Sequence, residues 1–293
     1  RVVIGCPASR RRISSSELIR RCTRSVERRA ILTTWLSAGL LPAGLITNML
    51  QRTRTRPDAF RAQLQQLFEA MSTGGWFGEH EILHFNGHLF DHAQALLLDT
   101  QSMDVLVGVS SLDWAQIKPS IFGTLFERSL DPAKRSQLGA HYTSEADILL
   151  IVEPVLMAPQ RRRWEQVQEE AHALAAERDA ARGAKRANAD KKLSALLMGF
   201  AAELSALQVL DAACGSGNFL YIALRQLLDL EKEAIRFAAE IGSGAFFPSV
   251  TPAQLHGIEI NPYAHQLAQA TIWIGYIQWL RENGYGLPAA PVL

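Results

Sequence analysis

Two stretches of this sequence hold residue types at a spacing that could do chemistry. The first is Val209-Leu-Asp-Ala-Ala-Cys-Gly-Ser-Gly-Asn-Phe-Leu220, an apolar run ending in Asp211, then two glycines, then a helix-forming segment. Gly215 and Gly217 let backbone approach a ligand closely. The helix that follows offers unpaired N–H groups and the positive end of its dipole, which suits a carboxylate or phosphate. Asp211, at the end of the strand, suits a positive or donor group, so the pair fits an amino-acid zwitterion. The second stretch is Gly257-Ile-Glu-Ile-Asn-Pro262. A carboxylate at Glu259 can accept hydrogen bonds from both hydroxyls of a ribose, and Ile260 offers an apolar face to an adenine ring. An amino-acid end and an adenosine end together describe S-adenosylmethionine. A dinucleotide site fits less well, because the glycines do not follow GxGxxG and the second acid stands well beyond the roughly 20 residues such a site needs.

Both stretches need a particular framework. Gln208–Asp211 reads as a strand, the segment from about Asn218 as a helix, and Leu255–Ile260 as a second strand. Asn261 and Pro262 then cap and open another helix, which runs to about Trp279 and is apolar nearly all round, hence buried. Strand, helix, strand, helix predicts a parallel α/β sheet. Upstream, residues 160–205 are rich in Ala, Glu, Arg and Lys and read as one or two exposed helices, antiparallel if two, with a break near Gly183. Ser144-Glu-Ala-Asp147 resembles a capping box ahead of the apolar run Ile148–Met157. Trp114–Leu130 reads as a helix broken near Pro119. Residues 30–112 read as mostly helical: Phe60, Leu64, Leu67 and Phe68 share one face, Pro57 suits the first turn, Gly74-Gly75 ends the helix, and Asn86-Gly87 marks a turn.

Composition sets outer limits. The 293 residues suffice for one large or two small domains, and 48% are hydrophobic, enough for a core. With 30 basic and 29 acidic residues, the chain is neither polybasic nor acidic overall. Cys6, Cys22 and Cys214 are far apart and form no CxxC pair, which suits a reducing, cytoplasmic setting. The longest apolar stretch, Ala30–Ile46, is short for a membrane span, and no signal peptide is evident. Residues 1–29 hold nine arginines against Glu17 and Glu27; this basic leader is left unassigned. A chain that starts at Arg1 fits a segment of a longer protein.

Asp211–Leu220 closely resembles motif I of the class I amino-methyltransferases that act on DNA, usually Asp-Pro-Ala-Cys-Gly-Ser-Gly, with Ala212 here in place of the proline. Gly257–Pro262 resembles motif II, and Leu138-Gly-Ala-His-Tyr-Thr-Ser144 resembles motif X, in the order of the gamma arrangement. Phe85-Asn-Gly-His-Leu-Phe90, Ile121-Phe-Gly-Thr-Leu-Phe126 and Trp273-Ile-Gly-Tyr-Ile-Gln-Trp279 look like the MmeI-like group of single-chain modification or restriction–modification enzymes. The resemblance implies an α/β, Rossmann-like class I methyltransferase fold, an incomplete parallel sheet with flanking helices. A helical spacer at 30–112 would precede it, with residues 113–293 the first part of the methyltransferase domain. It implies adenine-N6 methylation of double-stranded DNA, with cytosine-N4 less favoured. Asp211 would meet the methionine amino group, Glu259 the ribose, and Tyr142 and Thr143 the methionine end. Ala213, Cys214, Gly215, Gly217, Asn218, Phe219, Ile260 and Asn261 would complete the pocket, with Cys214 a packed loop residue rather than a nucleophile.

One part of that resemblance is missing. Enzymes of this kind use an Asn-Pro-Pro-aromatic motif, whose Asn accepts the target amino group while its ring stacks on the flipped base. No Asn-Pro-Pro occurs here, and the family order places that motif, with the recognition domain, after Leu293. No catalytic residue is therefore assigned. A non-catalytic fragment that binds DNA or a partner, and an RNA or protein methyltransferase sharing the cofactor half, are competing readings; an Asn-Pro-Pro-aromatic motif further along the parent frame would favour DNA. His80-Glu-Ile-Leu-His84 also matches the HExxH zinc signature, which requires a helix. No metal is assigned, because Asn86-Gly87 breaks the local helix pattern.

Overall fold

The computed structural model describes residues 41–42, 44–84, 95, 97–110, 118–119, 121, 143–244 and 246–286. The basic leader, the Phe85–Phe90 turn, all but Ile121 of the Ile121–Phe126 motif, and Leu138–Tyr142 lie outside the described residues, as does most of the Trp114–Leu130 helix.

The first described unit opens with α1 (Leu45–Thr53), which starts after left-handed Gly44 and buries Ile46, Met49 and Leu50. Helix α2 (Pro57–Thr73) has proline in its first turn and buries Phe60, Leu64, Leu67 and Phe68, the face that the sequence periodicity predicts. Gly74, at φ +74°, ends it. To this mostly helical stretch the next residues add a short strand pair that the sequence does not announce. Strands β1 (Gly75–Phe77) and β2 (His80–Ile82) form an antiparallel hairpin pairing Gly75 with Ile82. The turn passes through Gly78 at φ +60°, a conformation glycine takes at little cost. Helix α3 (Thr100–Ser110) follows; the Asp99 carboxylate accepts from the Ser102 N–H at 2.7 Å, and Asp104 binds Arg54, the residue just past α1.

The second unit opens with α4 (Glu145–Val152). Ser144 caps it, accepting from the Asp147 N–H at 3.2 Å. The return bond differs from a capping box: Ser144 donates its hydroxyl to Asp147 Oδ2 at 2.7 Å, so Asp147 does not reach the cap's backbone N–H. Pro154 lacks an N–H, and the helix passes it in one wide π turn, Glu153–Met157, before continuing as α5 (Ala158–Ala180). Gly183, at φ +55°, marks the reversal into α6 (Gly183–Ala206). This antiparallel pair is less exposed than its composition suggests. Trp164, Val167 and Ala171 of α5 and Leu193, Leu197, Phe200 and Leu204 of α6 are buried. The Trp164 ring stacks on Phe200 with centroids 4.9 Å apart. Its Nε1 donates to Glu233 at 2.8 Å, and Arg163 grips Glu203 through two bonds.

The chain then forms the predicted strand–helix–strand–helix unit: β3 (Val209–Asp211), α7 (Asn218–Glu240), β4 (Leu255–Gly257) and α8 (Pro262–Glu282). The two strands are parallel, with Val209 opposite Leu255 and Asp211 opposite Gly257. Strand β4 is shorter than the sequence suggests, since 258–260 leave the ladder, while α8 runs past Trp279 to Glu282. Helix α8 is buried along most of its length, as its composition predicts. The described part is thus mostly helical, with two small two-stranded sheets. No helix among the described residues is long and apolar enough to cross a membrane.

Candidate functional site

The site lies where β3 and β4 end and α7 begins. The loop from Ala212 to Gly217 folds back over the end of β4: the Cys214 N–H donates to Ile258 O at 3.1 Å, and the Ile258 N–H to Asp211 O at 2.9 Å. Two left-handed residues make that fold, Gly215 at φ +54° and Gly217 at φ +82°. A Cβ on Gly217 would lie 3.0 Å from Cα and Cβ of Ala268 on α8, so this glycine also sets how closely the loop meets that helix. Gly257 has its own reason for being glycine, because a Cβ there would meet the Cys214 sulfur at 2.7 Å.

Two carboxylates bracket the loop. Asp211 Oδ1 accepts from the Ala213 N–H at 3.0 Å, which fixes its rotamer at the strand end. Glu259 reaches across: Oε2 accepts from the Gly215 N–H at 2.9 Å and Oε1 from the Asn261 N–H at 2.7 Å. Each carboxylate oxygen carries a second lone pair, so Glu259 keeps capacity for two further donors while its position is set by backbone. Asn261 caps α8, its Oδ1 accepting from the Ala264 N–H at 3.4 Å. Ile260, next to Glu259, is 89% exposed. Ala213 is exposed, Phe219 half-buried, and Asn218 nearly buried at the start of α7, with an Oδ1 that has no hydrogen-bond partner among the described residues. Cys214 is buried; burial, then the charges of Asp211 and Glu259, push its thiol up to about 11.

The structure therefore brings Asp211, Ala213, Cys214, Gly215, Gly217, Asn218, Glu259, Ile260 and Asn261 to one place. Thr143 stands just before the cap of α4, a helix that packs on α7; among the described residues no hydrogen bond joins it to the loop. Tyr142 lies outside the described residues. The bonds by which Glu259 holds Gly215 and Asn261 have no counterpart in the sequence reading, since residue spacing does not say which way a side chain folds across a loop. The zinc reading fails on geometry: His80 and Glu81 lie on β2, where neighbouring side chains take opposite faces, and not on the helix that HExxH requires. Among the described residues no group of three metal-ligating side chains exists. His88 and His92, two further histidines close enough in sequence to be considered as ligands, lie outside them.

An acid beside a glycine loop and a helix N-terminus, with a second acid set by backbone next to an exposed isoleucine, can bind a zwitterion at one end and a diol with a flat apolar group at the other. Residues 184–284 match the family described as MmeI, DNA-methyltransferase domain. The chain is 29% identical over 205 residues to DNA methyltransferase A of Bacillus subtilis (strain 168), spanning 69% of this chain and 21% of that protein. Its structure is similar to that of the type IIL restriction-modification enzyme MmeI, solved in complex with DNA, with a TM-score of 0.72 and 25% identity, covering 94% of this chain and 36% of that one. The chain thus spans 21% and 36% of the length of these two relatives.

Proposed function

We propose that this chain, a member of the MmeI-like DNA methyltransferases, forms the S-adenosylmethionine-binding part of a site-specific enzyme that methylates adenine N6 in double-stranded DNA, within a restriction–modification or phage-defence system. The observation that carries this reading is Glu259, held by the Gly215 and Asn261 N–H groups beside the exposed Ile260. In this reading Glu259 accepts the ribose hydroxyls and Ile260 lies against adenine. Asp211 faces the methionine ammonium, and the N-terminus of α7 faces its carboxylate. Thr143 and Tyr142 are assigned to the methionine end by the resemblance of Leu138–Ser144 to motif X. The bound cofactor supplies an electrophilic methyl group. Residues 113–293 then form the first part of a Rossmann-like class I methyltransferase domain, behind a spacer at 30–112. No Asn-Pro-Pro occurs in these 293 residues, so this reading gives them cofactor binding and no catalytic residue.

Calorimetric titration of S-adenosylmethionine tests the reading. Saturable binding is expected, and Glu259→Ala, which removes a charged two-oxygen acceptor, should weaken it by about tenfold to a hundredfold, roughly 1.5–3 kcal/mol. Equal affinity in the variant would overturn the ribose role of Glu259. The 293-residue chain, which holds no Asn-Pro-Pro, should transfer no methyl group to DNA; methylated adenine in a duplex incubated with the purified chain would overturn the reading that these residues bind cofactor without catalysing.

A further inference from the structure

We propose that Glu231 is a positioning residue for Glu259, setting the place of the ribose-binding carboxylate from the far end of β4. This rests on the cofactor reading above. Glu231 lies midway along α7, roughly 20 Å along the helix from Gly217 at a rise of 1.5 Å per residue. It is 0% exposed. An ionised carboxylate in such a place is costly unless its oxygens are satisfied. Among the described residues no Lys or Arg pairs with it. Its partners come from the loop leading into β4: the Ser249 N–H at 2.7 Å, the Ser249 hydroxyl at 2.6 Å and the Val250 N–H at 3.1 Å.

From this clasp to Glu259 the chain has little slack. Val250 is fully buried. Thr251 and Gln254 form a reciprocal cap around the short 3-10 turn Pro252–Gln254, and Gln254 Nε2 donates to Leu204 O of α6 at 3.2 Å. Strand β4 follows at once, and Glu259 then bonds Gly215. The segment from Ser249 to Glu259 is thus held to the α7 unit at both ends, by Glu231 at one and by Gly215 at the other. With the first clasp loosened, the stretch Val250–Gln254 that feeds β4 is held less tightly, and the β3–β4 ladder carries that loosening to the loop that Glu259 closes. An apolar residue at 231 would pack as well but would not fix where Ser249 and Val250 sit along the helix.

The test uses Glu231→Gln in the 293-residue chain, with two readouts. In the absence of cofactor, amide exchange at Gly215 and Asn261, the two N–H groups held by Glu259, should speed up roughly tenfold while core amides of α6 and α8 keep their rates. In titrations with S-adenosylmethionine, Glu231→Gln should lower affinity by about fivefold or more in the wild-type background and not at all in Glu259→Ala, the non-additivity expected when one residue acts through the other. Unchanged exchange at Gly215 and Asn261, or an equal loss of affinity in both backgrounds, would reduce Glu231 to a general support of the fold and overturn the proposal. If the wild-type chain binds no cofactor, the exchange readout still decides on the link, and only the cofactor reading fails. Ser249→Ala, which removes one donor and keeps both backbone N–H groups, should speed the same two amides in the same direction and serves if Glu231→Gln does not fold.

Discussion

Cys214 stands between two carboxylates in the most closely packed part of the site, and its environment fixes its chemistry. Burial and the charges of Asp211 and Glu259 disfavour the thiolate, the form that reacts. With the thiol pushed up to about 11, neutral solution holds it almost wholly protonated. In a chain whose other two cysteines are replaced (Cys6→Ser, Cys22→Ser), alkylation by iodoacetamide at pH 8 should run on the order of a hundredfold slower than in the same chain unfolded in urea, and should accelerate as pH rises toward 11. The sign for stability follows. A group whose proton is held more tightly when folded contributes stability below its unfolded value, and that contribution is lost as pH climbs through the folded one. Rapid alkylation of the folded chain at pH 8 would show that the loop opens, or that Cys214 is activated rather than packed. That Cys214 is a loop residue was legible in the motif around it. Its contact with Gly257, which explains the glycine, was not, because it joins residues far apart in sequence.

At the scale of elements, the packing of α7 on α8 depends on an absent side chain. A Cβ on Gly275 would lie 2.2 Å from the Tyr221 ring. Tyr221 is itself buried, and its hydroxyl accepts from Arg225 at 3.2 Å, so it has little room to turn aside. Gly275→Ala should therefore destabilise by about 1–3 kcal/mol through overpacking, despite the better helix propensity of alanine. Thermal unfolding would read this as a drop of several degrees; an unchanged midpoint would mean that the ring yields freely. The sequence reading predicted α8, the α5–α6 break at Gly183 and the face of α2, because long periodic or uniformly apolar segments and glycine reversals are local signals. It missed the β1–β2 hairpin, whose strands span only Gly75–Phe77 and His80–Ile82, too short for alternation to register. It also misjudged the inner stripe of α5 and α6. There Trp164, Val167, Leu193 and Phe200 are spaced among so many charges that the burial shows only once α7 supplies Phe237 as a partner, edge-on to Trp164 at 5.3 Å.

At the scale of the whole molecule, the described residues cover the β3–β4 pair on one side only. Helix α7 packs against it, yet Leu210 is 64% exposed and Ile258 59% exposed. Parallel strands are nearly always covered on both faces, because the crossover helices that join them occupy both sides. Leu210 is a side chain that a second covering layer would bury. The cost of truncating this side chain should then depend on how much of the parent is present. In the 293-residue chain, Leu210→Ala removes a side chain that is mostly in water and should change stability by no more than about 0.5 kcal/mol. In a longer protein that contains this sequence together with the rest of the sheet, the same substitution empties a packed site and should cost roughly 2–5 kcal/mol. Chemical denaturation of the two pairs of proteins makes the comparison. A small cost in both would mean that the outer face of β3 stays open to solvent in the longer protein as well, and that the sheet is finished with the helices seen here.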